Sequence, residues 1–237
     1  MTSRGAPNEP VTRLAAIGRS FRTMVAAIRE DRAMLHHYDA KHAPDRGGEG
    51  DPGFARDVVT RIGFQMLVAY RAMRFLVDAR VPLAPQVASR MIRHVYGSDI
   101  HWETEIEPGV VFVHGMGLAL SSAARVERGA ILFQHVTLGM SVDPLTRETG
   151  APIVERDVHV GAGSTLVGPI RIGARSKVTA NCLVRASVPA DSLVEAPTPT
   201  TTPRASRARV AAVETPAPVG PQTVSGAPPT RGAGASD

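Results

Sequence analysis

Residues 153–184 read IVERDVHVGAGSTLVGPIRIGARSKVTANCLV, and an apolar residue recurs there at every sixth position: Val154, Val160, Leu166, Ile172, Val178 and Val184. A period of six is neither the 3.6 of an amphipathic helix nor the alternation of a half-buried strand. It is the period of a hexapeptide solenoid, a parallel β-helix in which each hexad forms one short side of a triangular coil. Two earlier sets carry the same period: Ile100, Ile106, Phe112 and Leu118, then Leu120, Val126, Leu132 and Leu138. The residue four places on is small or β-branched (Val158, Ser164, Ile170, Ser176, Cys182, Val188), so Cys182 reads as packing. Stacking these residues coil on coil predicts a core column of Val, Leu and Ile. The phase breaks twice. Leu118 to Leu120 is a two-residue slip, and Leu138 to Val154 spans the polar stretch GMSVDPLTRETGAP. That stretch predicts a loop leaving the wall, where solenoids usually build their sites.

Before the repeat the period is helical. Leu14, Ile17, Phe21, Val25 and Ile28 step by three and four, and so do Val58, Ile62, Met66, Ala69 and Met73 in a second helix. APDRGGEGDPG (43–53) separates the two, and VPLAP (81–85) turns into a third helix that ends near Tyr96. The expected organisation is α+β: a loose N-terminus (1–9), an α-helical domain (10–98), a β-helix (99–195) and a disordered Pro/Thr/Ala-rich tail (196–237). Aromatic residues make up 4% of the chain, as a core of stacked small aliphatics requires.

Composition removes several classes. A single cysteine excludes a disulfide framework within the chain and any Cys-based zinc site. The net charge of +5 rests on scattered arginines; the only lysines are Lys41 and Lys177. No stacking aromatics interleave with the arginines, so no nucleic-acid partner is expected. No apolar run approaches the ~20 residues of a membrane span, and MTSRGAPNEP lacks an apolar signal core. No membrane association and a cytoplasmic location are expected.

The helical lead-in and the segments Ser98-Asp99-Ile100-His101, His114-Gly115-Met116-Gly117, Gln134-His135-Val136-Thr137-Leu138-Gly139 and Val160-Gly161-Ala162-Gly163 occur in an order and spacing similar to the serine O-acetyltransferase family. AAIREDRAM, VAYRAMRFL and VGPIRIG strengthen the resemblance, which covers roughly residues 20–195. It implies a left-handed β-helix and transfer of acetyl from acetyl-CoA to a hydroxyl, by family serine in cysteine biosynthesis. It also implies His114 as general base and Asp99 as the carboxylate that orients it. The chemistry is sound: a hydroxyl that ionises far above neutrality needs a base near neutrality, and a carboxylate on the far ring nitrogen fixes the tautomer. Acetyl-CoA would lie along Ala162 and Ala180, with Lys177 meeting a phosphate; no metal is implied. The family further implies a homotrimer or a dimer of trimers.

Three positions depart from the family pattern. Val113 replaces an Asp before the base, Ser121-Ser122 replaces Gly-Glu, and Gly150-Ala151-Pro152 replaces Arg-His-Pro at the end of the protruding loop. The family residues grip the charges of serine, so the acceptor pocket reads as altered, with Arg147 and Glu148 in the loop as candidate substitutes. A sugar, exopolysaccharide or secondary-metabolite hydroxyl is therefore an alternative acceptor, and a catalytically degenerate interaction subunit a further alternative. Docking on cysteine synthase, which uses a C-terminal isoleucine, is not expected of a chain ending Ala235-Ser236-Asp237. His135 is an alternative base but reads better as a coil-surface residue. A hexapeptide-fold carbonic anhydrase would need three zinc-binding histidines. His114, His135 and His159 lack the short His–x4–His pair usual there.

Overall fold

The computed structural model describes residues 9–42, 51, 53–143 and 146–200. Four helices come first: α1 (Glu9–His42), α2 (Phe54–Thr60), α3 (Ile62–Asp78) and α4 (Ala84–Tyr96). The first coil follows as β1 (Asp99–Ile100), β2 (Glu105–Ile106) and β3 (Val111–Phe112). The second is β4 (Ala119–Leu120), β5 (Arg125–Val126) and β6 (Ile131–Leu132). β7 (Thr137–Gly139) opens the third, interrupted by a hairpin of β8 (Ser141–Val142) and β9 (Thr149–Gly150), and β10 (Ile153–Val154) and β11 (His159–Val160) complete it. β12 (Thr165–Val167), β13 (Arg171–Ile172), β14 (Lys177–Val178), β15 (Leu183–Val184) and β16 (Leu193–Val194) finish the stack.

The strands pair in parallel into three faces: β1-β4-β7-β12-β15, β2-β5-β10-β13 and β3-β6-β11-β14-β16. All fourteen hexad residues are buried, which is what a left-handed β-helix built on their period requires. Register locates the irregularities. Asp99 lies opposite Ala119, Ala119 opposite Thr137 and Thr165 opposite Leu183, so the regular coil has 18 residues and the first has two more. Thr137 lies opposite Thr165; the ten extra residues there are the protruding loop.

Two expectations change. Leu118 does not end a hexad set. It lies two residues before a face residue, in the corner column of Ser98, Val136, Ser164 and Cys182, and all five are buried. The slip is therefore the lengthened turn between Phe112 and Leu120, which holds His114-Gly115-Met116-Gly117. The expected second helix is two helices. Arg61, at φ −116° and ψ 88°, separates α2 from α3, and of the expected stripe Met66 and Met73 are buried while Ile62 is 49% exposed. On α1 the buried positions are Ala27, Asp31 and Leu35, whereas Leu14 and Phe21 of the expected face are exposed. α1 begins at Glu9 and β16 ends at Val194. Residues 1–8 and 201–237, most of the expected loose terminus and tail, lie outside the described residues.

The helices are fastened to the first coil by polar groups. Asp31 is paired with Arg71 through two hydrogen bonds (2.8 and 3.0 Å). Its Oδ1 also accepts from the backbone of Gly109 (2.8 Å) and Val110 (3.4 Å). Arg71 donates onward to the carbonyls of Ile106 (2.6 Å) and Glu107 (2.8 Å). Beside it the Tyr70 hydroxyl donates to the Thr104 carbonyl (2.7 Å) and accepts from Ile106 N–H (3.1 Å). Removing one partner of a buried ion pair leaves an uncompensated charge, so Asp31→Ala is expected to cost about 3–5 kcal/mol in urea denaturation. A double change of Asp31 and Arg71 to apolar residues should recover part of that loss. A single-variant loss under about 1 kcal/mol, the scale of an exposed pair, would contradict the docking role.

Candidate active site

His114 sits on the lengthened turn of the first coil in the left-handed region (φ 67°). A lone non-glycine there is strained, and the glycines around it hold it in place. Gly115 (φ 48°) lies flat on the start of α3; a Cβ there would stand 2.6 Å from the Gly63 Cα. A Cβ on Gly63 would stand 1.9 Å from the Phe112 carbonyl oxygen. The first turn of α3 therefore rests directly on the backbone of the His114 turn. From the other side, Ser98 Oγ accepts from Leu118 N–H (3.1 Å), joining the residue before Asp99 to the end of that turn.

His114 is exposed at the mouth of a cavity of about 510 Å³ between the helices and the face built on β3. Val113 and Phe133 line it from the β-helix; Tyr38, Asp39, Arg61 and Gly63 line it from the helical domain. Asp39 and Arg61 form an ion pair (2.5 Å) whose side chains are 18% and 28% exposed. Sequence reading missed this pair, because the residues stand 22 apart on either side of a Gly/Pro-rich break.

Asp99 faces a different groove. Its carboxylate is paired with Arg93 of α4 (2.5 Å), and among the described residues no hydrogen bond joins it to His114. Ala162 and Ala180 are stacked on consecutive coils, with Asn181 N–H donating to the Ala162 carbonyl (2.9 Å). His135 falls one coil below, its ring against Gly117: a Cβ there would meet the ring nitrogen at 2.1 Å. Arg147 and Glu148 are exposed in the β8–β9 hairpin and do not line the His114 cavity. Ala151 is 6% exposed and turned into the core.

Lys177 lines a second cleft of about 440 Å³ with Lys41, His42, Asp157 and His159. Burial pushes the His159 pKa below its ordinary value, and His42, Lys41 and Lys177 push it the same way against Asp157. Elsewhere, ligand atoms of His36, Asp51 and Asp57 lie within 4.8 Å of one another. Arg32 already donates to both carboxylates there, so the cluster carries its own counter-ion.

Two outcomes follow from this geometry. Gly63→Ala forces the first turn of α3 off the His114 turn and should lower stability by about 1–3 kcal/mol, the usual cost of overpacking, read as a shift in thermal midpoint. His159 should titrate below its ordinary value in a proton NMR titration. Its folded pKa is the lower one, so the unfolded chain binds the extra proton; its stability contribution is complete above the unfolded value near 6.5 and is lost as pH falls below it. Lys177→Gln should move the His159 midpoint upward.

No protein-family model matches the chain. Over 134 residues, 56% of its length, it is 33% identical to a serine acetyltransferase of Synechococcus elongatus, covering 53% of that protein. Over 135 residues it is 36% identical to serine acetyltransferase 2 of Arabidopsis thaliana, covering 40% of it. The chain thus spans about half the length, or less, of these curated relatives. Among solved structures, serine acetyltransferase isoform 3 of Entamoeba histolytica in complex with cysteine superposes with a TM-score of 0.64 at 22% identity, over 84% of this chain and 68% of that one. A serine acetyltransferase complexed with CoA gives 0.63 at 21% identity, over 78% and 72%. In sequence over about half its length, and in fold over most of it, this chain is similar to serine acetyltransferases.

Proposed function

We propose that the protein is an acetyl-CoA-dependent O-acetyltransferase acting on L-serine, with His114 as general base. The observation that carries this reading is the lengthened first-coil turn, which projects an imidazole into a cavity walled by the helical domain. His114 takes the acceptor hydroxyl's proton as that oxygen attacks the thioester carbonyl; the carbon–sulfur bond then breaks and CoA leaves as the thiol. Asp99, which starts the strand paired with β4, exchanges Arg93 for the imidazolium and stabilises it.

The cofactor runs along the corner column of Ala162 and Ala180, where small side chains admit the thin pantetheine arm. Lys177, with Lys41 across the cleft, meets the phosphates. Three strand steps separate β3 from β14, about 14 Å at sheet spacing, and an extended pantetheine arm spans that order of length. The relatives named above are serine acetyltransferases, one of them solved with CoA, and they support the choice of donor and acceptor. Acetylation of a neutral sugar is the second reading, favoured by Val113 and Ala151 in place of charged groups. The protein acts as a homotrimer or dimer of trimers in the cytoplasm; among the described residues no helix is long and apolar enough to cross a membrane.

Release of CoA from acetyl-CoA with L-serine, set against a panel of sugars, decides between the acceptors. His114→Ala should lower kcat by about 10²–10⁴-fold, the scale of general-base catalysis. Asp99→Asn should lower kcat less and shift the acidic limb of the kcat pH profile. Full activity in His114→Ala would remove the assignment.

A further inference from the structure

We propose that Arg61 binds the carboxylate of the acceptor, making the helical domain, and not the protruding loop, the determinant of acceptor charge. This rests on the reading of His114 as the acetyl-transfer base. Arg61 and His114 line one cavity. On the β-helix side that cavity offers no countercharge: Val113 is apolar, Ala151 is buried, and Arg147 and Glu148 lie on an exposed hairpin outside it.

Arg61 is built to present its guanidinium at a fixed point. It occupies the break between α2 and α3, where its N–H donates to the Asp57 carbonyl and its carbonyl accepts from Gln65 N–H, both at 2.9 Å. One terminal nitrogen goes to Asp39. Among the described residues no hydrogen bond engages its Nε or its other terminal nitrogen, which leaves donors for a planar anion. A guanidinium takes a carboxylate through two parallel hydrogen bonds, a geometry that lysine or a neutral amide cannot reproduce. The pair is partly desolvated, so each charge is felt more strongly than at an open surface. A zwitterionic acceptor matches such a wall, with its carboxylate on Arg61 and its ammonium facing Asp39. A neutral sugar would leave the ion pair intact and gain nothing from the arginine.

The test compares L-serine with L-serinamide, which keeps the hydroxyl and the ammonium but lacks the carboxylate, in the full chain and in Arg61→Gln. Hydrogen bonds to a charged group correspond to about 10–100-fold in affinity. Wild-type KM for L-serine should be lower than for serinamide by that factor. Arg61→Gln should erase the difference while leaving the KM for acetyl-CoA within about twofold, and Arg61→Lys should restore only part of it. An unchanged serine-to-serinamide ratio in Arg61→Gln, even with a lowered melting point, would mean that the pair only joins α1 to α3 and would overturn the proposal. Calorimetric binding of L-serine separates this from the activity reading. Binding lost in Arg61→Gln without any turnover in wild type would overturn the acetyltransferase reading alone.

Discussion

The helical domain is oriented by one buried ion pair. Asp31 and Arg71 have side-chain exposures of 0% and 6%, and taking both from water is expensive. The structure offsets the cost by completing their hydrogen bonds with backbone groups of a single β-helix corner, Ile106, Glu107, Gly109 and Val110. A bidentate pair tied to four residues within one five-residue stretch fixes the height and rotation of α1 and α3 on the first coil. From Asp31 the rigid α1 carries Asp39 eight residues on, about 12 Å. From Arg71 the helix leads back to Gly63 and Arg61. The cavity at His114 thus inherits its walls from a contact that takes no part in its chemistry.

The β-helix was legible because its signal is periodic and its core is dry. Each of the thirteen hexad face residues must point inward, so composition and spacing repeat the same constraint many times. Where the repeat lapses the reading weakened. Leu118 is apolar and six residues from Phe112, so the period alone assigned it to a face; only the pairing of Ala119 with Asp99 makes it a corner residue. The break at Arg61 carries no glycine or proline and the apolar stripe runs through it, so local chemistry gave no sign of two helices. The buried Asp31 of α1 left no local signal, because its partner, Arg71, lies 40 positions away.

The site divides in the same way. Ala162, Ala180 and Lys177 stand on the repeat, and their mutual placement follows from counting residues around coils of 18, whereas His114 stands where the first coil is two residues longer. Arg147 and Glu148 are the charges that the sequence offers in the protruding loop, the usual place for a site on a solenoid. The structure puts a charged pair at the cavity instead through Asp39 and Arg61, whose meeting depends on how α1 folds back beside α2. That is a tertiary fact with no spacing rule behind it. Asp99 shows the converse: the first strand places it as the repeat requires, but its side chain is held by Arg93, six residues earlier on α4.

Regular and irregular coils carry different work. A coil of 18 residues repeats the same corner, so small residues such as Ala162 and Ala180 fall in one column, the track proposed for the cofactor. Such a column cannot supply a base, because a residue in register stays flush with the wall. Two additional residues in the first coil break the column, and the turn they form needs left-handed backbone at His114, Gly115 and Gly117. Left-handed non-glycine residues also occur at regular corners, at His135, Asp157, Arg175 and Asn181, so what sets this turn apart is what packs on it. The packing element is the first turn of α3, through the contact of Gly63 with Gly115. The helical domain therefore acts twice on one short segment: it packs on the turn that carries His114, the proposed base, and it lends the charged pair that lines the same cavity. A β-helix without this lead-in would keep the track and lose both.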